Sequence, residues 1–225
     1  MPGQDYQGAE RFLPASEADL GAVASAAGSC RGCDLFERAT QTVFGSGPAP
    51  ASMMLIGEQP GDAEDRQGKP FVGPAGRVLS QALADVGVPA EGTYITNAVK
   101  HFRWREDPRG GKRRIHERPS PWQVRACMPW LGAEIERVSP RLLVTLGATA
   151  GQALFGSSFR VGAQRGGRLT WRPPAETTAS DLPSELVVVP TIHPSAVLRA
   201  DDRDAVYAGL AADLRAAALV LGDTG

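Results

Sequence analysis

Four short apolar or β-branched runs, residues 52–57, Thr93–Asn97, Leu142–Leu146 and Leu186–Val189, are separated by stretches with helical spacing. This alternation constrains the fold more than any other feature. Strands alternating with helices build a largely parallel sheet, with helices on both faces and right-handed crossovers. Continuous apolar runs mark strands buried on both sides. The expectation is an α/β fold, a three-layer α/β/α sandwich around a central four-stranded, mainly parallel sheet.

The segments between the strands fit. Val78, Leu79, Leu83 and Val86 place a helix over roughly 75–87. Pro121 opens a long helix in which Cys127, Leu131, Ile135 and Val138 share a face, so Cys127 points inward. The last helix carries Val206, Leu210, Leu214 and Leu221 on one side. Ser16, with Asp19 three positions on, is a plausible N-cap for an Ala-rich first helix. Residues 159–172 read as an irregular hairpin around Gly166-Gly167, and periodicity vanishes from Arg103 to Ser120. Residues 1–15 read as a loosely ordered lead-in, and 1–225 as a single domain. No apolar stretch reaches the length of a membrane span and the start has no signal pattern, so a cytoplasmic location is expected. Separately, a monomer is expected, although no sequence feature reports the oligomeric state.

In a parallel sheet the strand ends lie side by side, and ligands collect beyond them. Gly57, Glu58, Gln59, Asn97 and His193 all fall at such ends. Beyond the first strand, Pro60, Gly61 and Asp62 lead into a Gly- and Pro-dense loop from Gly68 to Gly76 that contains Phe71. Between Arg103 and Ser120 the chain carries a net +4, against −1 for the whole protein. Such a concentration suits nucleic-acid phosphates, although charge runs are more often solvated faces. Three cysteines are too few for a disulfide framework, and Cys30-x-x-Cys33 stands far from Cys127.

The order Gly57-Glu58-Gln59-Pro60-Gly61, Glu64-Asp65, Gly68-Lys69-Pro70-Phe71-Val72-Gly73, then Ala75-Gly76, with His193-Pro194-Ser195-Ala196-Val197-Leu198-Arg199 downstream, resembles the two signatures of the uracil-DNA glycosylase superfamily. It is closest to the iron–sulfur branches, relatives of the family 4 enzymes. Gln after Glu in the first signature, with Lys112-Arg113-Arg114-Ile115-His116, resembles UdgX, the branch that crosslinks to its DNA product.

The resemblance implies a DNA-repair enzyme that flips uracil out of single- or double-stranded DNA and excises it. Gly57, Gln59, Asp62, Phe71, Asn97 and His193 would bind the base. Asn97 would read O4 and N3–H, His193 would donate to O2, and Phe71 would stack. Ser195 and Arg199, with Lys112, Arg113 and Arg114, would contact DNA. His116 would attack C1′ of the deoxyribose, with Glu58 orienting or deprotonating it and Gln59 beside it. Cys30, Cys33, His101 and Cys127 would hold a [4Fe-4S] cluster, zinc being chemically acceptable to the same set. Two readings stay open beside this one: a turning-over iron–sulfur glycosylase that releases an abasic product, and a non-catalytic uracil or damage sensor.

Overall fold

A computed structural model describes residues 6–173 and 184–223. Seven strands occur among them: β1 (Met53–Gly57), β2 (Thr93–Asn97), β3 (Trp104–Glu106), β4 (Arg114–His116), β5 (Leu142–Leu146), β6 (Leu169–Trp171) and β7 (Leu186–Thr191). The helices are α1 (Leu20–Ala27), α2 (Asp62–Gln67), α3 (Pro74–Asp85), α4 (Pro121–Val138), α5 (Ala148–Phe155), α6 (Val161–Gln164), α7 (Ser195–Arg199) and α8 (Arg203–Asp223).

The main sheet runs β2-β1-β5-β7-β6. Four strands are parallel, and β6 pairs antiparallel with β7. The expected parallel sandwich is thus present, with five strands rather than four. Leu169–Trp171 was read as part of an irregular hairpin because three residues are too few to show a two-residue alternation.

Strand geometry divides the core. Met54 and Ile56 point to one face and meet Leu131 and Ile135 of α4, whereas Met53 and Leu55 meet Leu79 of α3 and Leu210 and Leu214 of α8 on the other. Both faces are therefore closed by apolar stripes on helices, as the sequence spacing requires.

Several boundaries differ from expectation. Asp19, not Ser16, caps α1, its Oδ1 accepting the Ala22 N–H at 2.7 Å. The stretch from residue 6 to 15 is tied down: Ala9 is buried and its N–H donates to the Ala126 carbonyl at 2.8 Å. Residues 1–5 lie outside the described residues. The aperiodic stretch contains the β3–β4 hairpin, too short for a pattern to register. Arg203–Gly222 is, by length and composition, apolar enough to cross a membrane, contrary to the sequence reading. In the fold it is a packing helix, and its Asp213 accepts from Arg165 Nε at 2.8 Å and Thr191 Oγ1 at 2.6 Å.

Parallel register places Gly57 beside Asn97, and Leu146 beside Thr191. The segments carrying Glu58, Asn97, Gly147 and His193 consequently leave the sheet along one edge.

Candidate active site

That edge opens into a cavity of about 930 Å³ lined, among others, by Glu58, Phe71, Asn97, His116, Thr149 and His193. Gly57, just before Glu58, must be glycine for a steric reason. A Cβ there would press on Asn97 Oδ1 and come 2.6 Å from the Phe71 ring, so only glycine lets both side chains approach. Phe71 holds a left-handed backbone, φ 55°, and its ring lies 6.1 Å from that of His193. A bulky residue in that region carries strain that the surrounding loop must hold in place.

Asn97 is 2% exposed, and its Oδ1 has no hydrogen-bond donor among the described residues. A buried acceptor without a partner costs free energy unless something brings an N–H to it. Behind it, Lys100 Nζ donates to the Asn97 carbonyl at 2.6 Å, to Thr96 Oγ1 at 2.8 Å and to Glu134 Oε2 at 2.5 Å. Glu134 also accepts from the Gly45 N–H and the Tyr94 hydroxyl. The base of β2 is thereby fixed by a fully buried ion pair.

His193 is set by its neighbours. The Ser195 N–H donates to Nδ1 at 3.2 Å, and the Ser195 hydroxyl lies 2.7 Å from the same atom. Arg199 Nη1 donates to Ser195 Oγ at 3.0 Å, which leaves the hydroxyl proton for the imidazole. With Nδ1 accepting, the ring proton sits on Nε2. Burial pushes the His193 pKa down to about 4, helped by Arg199 and His116, so the ring is neutral at physiological pH. Ser195 and Arg199, expected at DNA, thus also hold the tautomer of His193.

His116 ends β4, its ring 5.9 Å from Phe102. Its side chain is half exposed, and Nε2 lies 3.6 Å from Glu58 Oε1. Partial burial lowers its pKa below the ordinary value, with Glu58 opposing and Arg199 adding to the effect.

Gln59 is 6% exposed and acts as a clamp. Its Oε1 accepts the Arg103 N–H at 2.9 Å, while Nε2 faces the Arg103 carbonyl at 3.2 Å, the Glu117 carbonyl at 2.9 Å and His116 Nε2 at 2.9 Å. An amide nitrogen has two hydrogens, so three acceptors compete and the His116 lone pair is only shared. The structure therefore gives Gln59 to the hairpin, not to a free base-reading position.

The basic segment is less free than its composition suggested. Arg114, an expected DNA contact, has a side chain 11% exposed, bonded to Asp62 at 2.5 Å and Asp65 at 2.6 Å and lying over the Trp104 ring. Burial alone would raise the Asp62 carboxyl, but bonds from Arg66 and Arg114 outweigh it and hold it below the usual carboxylate range. Asp62 lines the cavity as a partner of those cations. Arg103 and Arg105 approach Glu117, and Arg109 approaches Asp107. Lys112 and Arg113 are exposed and form no ion pair among the described residues.

Cys30, Cys33 and Cys127 share one buried apolar pocket with Val23, Val99 and Trp130. Burial pushes the Cys33 thiol up to about 11 and that of Cys127 up to about 12. The Lys100 N–H points at Cys127 Sγ at 3.3 Å. Three sulfurs with such a donor suit a soft, thiolate-bound group and not an oxygen-seeking cation. His101 is buried, but its Nε2 lies 2.9 Å from Thr42 Oγ1, and burial pushes its pKa down to about 4. Among the described residues no three His, Cys, Asp or Glu side chains are gathered closely enough to hold a metal ion. The donor chemistry fits a cluster at the three cysteines, and His101 faces a hydroxyl.

Sequence reading missed Thr149, Lys100 and Glu134. No local pattern marks Thr149 or Glu134, which act through residues far along the chain, whereas Lys100 also bonds its near neighbours Thr96 and Asn97.

Comparison with known proteins agrees with this geometry. Residues 44–215 match the model of the uracil DNA glycosylase superfamily. The chain is 33% identical to the type-4 uracil-DNA glycosylase of Sulfurisphaera tokodaii over 175 residues, 76% of this chain and 71% of the relative. It is 33% identical to the type-4 enzyme of Thermotoga maritima over 171 residues, 76% and 78% of the two chains. With that of Saccharolobus solfataricus identity is 32% over 185 residues, 80% and 77%.

Proposed function

This chain belongs to the uracil-DNA glycosylase superfamily, and from that membership we propose that it excises uracil from DNA and that His116 then captures the sugar as a covalent adduct. The carrying observation is the unpartnered Oδ1 of Asn97, buried on the wall of a cavity that also holds a neutral imidazole N–H. Uracil offers N3–H to that acceptor and O4 to the amide donor; cytosine presents the reverse pattern and is disfavoured. Reaching this depth requires the nucleotide to be flipped from its stack.

The bond from C1′ to uracil N1 breaks with its electron pair leaving on the base, and negative charge collects on O2. His193 Nε2–H stabilises that charge as a neutral donor. The positive charge left at C1′ and the ring oxygen faces Glu58 and His116. The His116 Nε2 lone pair, shared with Gln59, forms the new carbon–nitrogen bond; the resulting imidazolium releases its Nδ1 proton to solvent and the uracil anion takes one up. Lys112 and Arg113 supply phosphate contacts at the rim. Cys30, Cys33 and Cys127 would hold a [4Fe-4S] cluster, whose contribution is to brace the start of α4 and the Asn97–His101 segment. Iron and acid-labile sulfide in the purified protein, lost in Cys127→Ala, test that part.

A second reading, delivery of the sugar to water with release of an abasic strand, is favoured by the type-4 names of the similar enzymes. One denaturing gel separates the two, using a labelled uracil-containing single strand with wild type and His116→Ala. A heat-stable shifted band that needs uracil and is lost in the variant is the expected outcome. An abasic product alone from the wild type overturns covalent capture, and no uracil release overturns the glycosylase.

A further inference from the structure

We propose that Thr149 is a positioning residue for Glu58, the middle member of a relay from Arg118, and that this relay sets how the sugar cation divides between His116 and water. The proposal rests on the reading that His116 captures C1′.

Thr149 is the second residue of α5 and only 4% exposed. A helical threonine can bond a carbonyl one turn back, but at the second position of α5 that turn lies outside the helix. Here the hydroxyl instead donates to Glu58 Oε2, a residue 91 positions earlier in the chain. Its role as donor is fixed by Arg118, whose Nε donates to Thr149 Oγ1 at 2.9 Å and so occupies a lone pair. Arg118 is in turn held by α5, its Nη2 donating to Gln152 Oε1 at 2.6 Å. Arg118 Nε is also 3.9 Å from Glu58 Oε2.

The geometric consequence lies at the other oxygen. With Oε2 anchored, the carboxylate cannot swing about its terminal bond, and Oε1 is directed at His116 Nε2, 3.6 Å away. That distance is beyond a hydrogen bond for the neutral ring but effective for the imidazolium that forms as the carbon–nitrogen bond closes. Arg118 is one of the cations of the basic segment. Its side chain, 56% exposed, is nevertheless turned inward to a hydroxyl and an amide.

The test is single-turnover reaction of the full chain with uracil-containing single strand, scoring adduct and alkali-labile abasic strand on the same gel. Thr149→Val keeps the shape and removes the hydroxyl; it should lower the adduct-to-abasic ratio about tenfold, the scale of one hydrogen bond to a charged group. Thr149→Ser should restore it. Arg118→Met should act in the same direction, and the double variant should lose little beyond Thr149→Val, since both act through one relay. Melting temperature and affinity for the DNA strand should stay near wild type, which a general packing defect would not allow. A wild-type ratio in Thr149→Val, or no rescue by serine, overturns the proposal. Should Thr149→Val fail to fold, Arg118→Met decides at the surface, and an unchanged ratio there overturns it equally. A wild type that releases uracil without adduct rejects capture by His116 itself, an outcome distinct from variants that partition like an adduct-forming wild type.

Discussion

At the scale of single residues, the site holds two imidazoles whose pKa values are lowered by different surroundings. His193 is held at about 4 by burial, and His116 is lowered by partial burial beside Arg199. A histidine with a depressed pKa keeps its lone pair as the pH falls through 6.5, and loses function only at the lower, folded value. The rate of adduct formation should therefore stay flat from pH 8 through 6.5 and fall on an acidic limb with its midpoint below 6.5; single-turnover rates across pH check this, and a midpoint at or above 6.5 refutes it. Gly57 makes a second case. Gly57→Ala should leave a folded protein whose uracil release is lowered at least a hundredfold, because the methyl displaces Asn97 and Phe71 together; circular dichroism and single-turnover release measure both halves.

At the scale of elements, the β3–β4 hairpin matters most. Its two strands of three residues cannot be stable alone. It is bound from inside by Gln59 and from outside by Arg114, which reaches Asp62 and Asp65, and Trp104 Nε1 donates to the Arg38 carbonyl at 2.9 Å. Gln59→Leu takes their side-chain partner from the Arg103 N–H and the Glu117 carbonyl, while the Glu117 N–H still donates to the Arg103 carbonyl. It should cost about 1–3 kcal/mol of stability by urea denaturation, and reduce adduct formation more than uracil release. Equal loss of both would mean that Gln59 serves the base and not the hairpin.

At the scale of the whole molecule, the sheet edge is braced by the ion pair of Lys100 and Glu134, both essentially inaccessible to water. Breaking such a pair leaves a buried charge uncompensated. Glu134→Ala should lower stability by about 3–5 kcal/mol, a melting-temperature drop of about 6–20 °C, and carry uracil release down with it through Asn97. A variant as stable as wild type would show the pair to be replaceable. Lys100 also touches the cysteine pocket by its N–H to Cys127 Sγ, so base-reading strand and cysteine pocket share one support.

The sequence by itself determined the α/β class, the parallel strands and the four strand ends at which Glu58, Asn97, the turn after Leu146 and His193 emerge. Those follow from local periodicity and from residues that cannot continue a strand, and local signals survive without tertiary information. Its signatures also carried the family, because a run of residues in fixed order is itself local. Only the tertiary structure decided which groups are free to act. Arg114 looked like a DNA contact until two carboxylates from α2 claimed it, and Gln59 looked like a base reader until the hairpin occupied its amide. Thr149 gave no sign at all. Each of these depends on a partner some 44 to 91 residues away. A side chain's charge and hydrogen-bonding capacity can be read from its identity, but whether another residue has already satisfied them is settled only by folding.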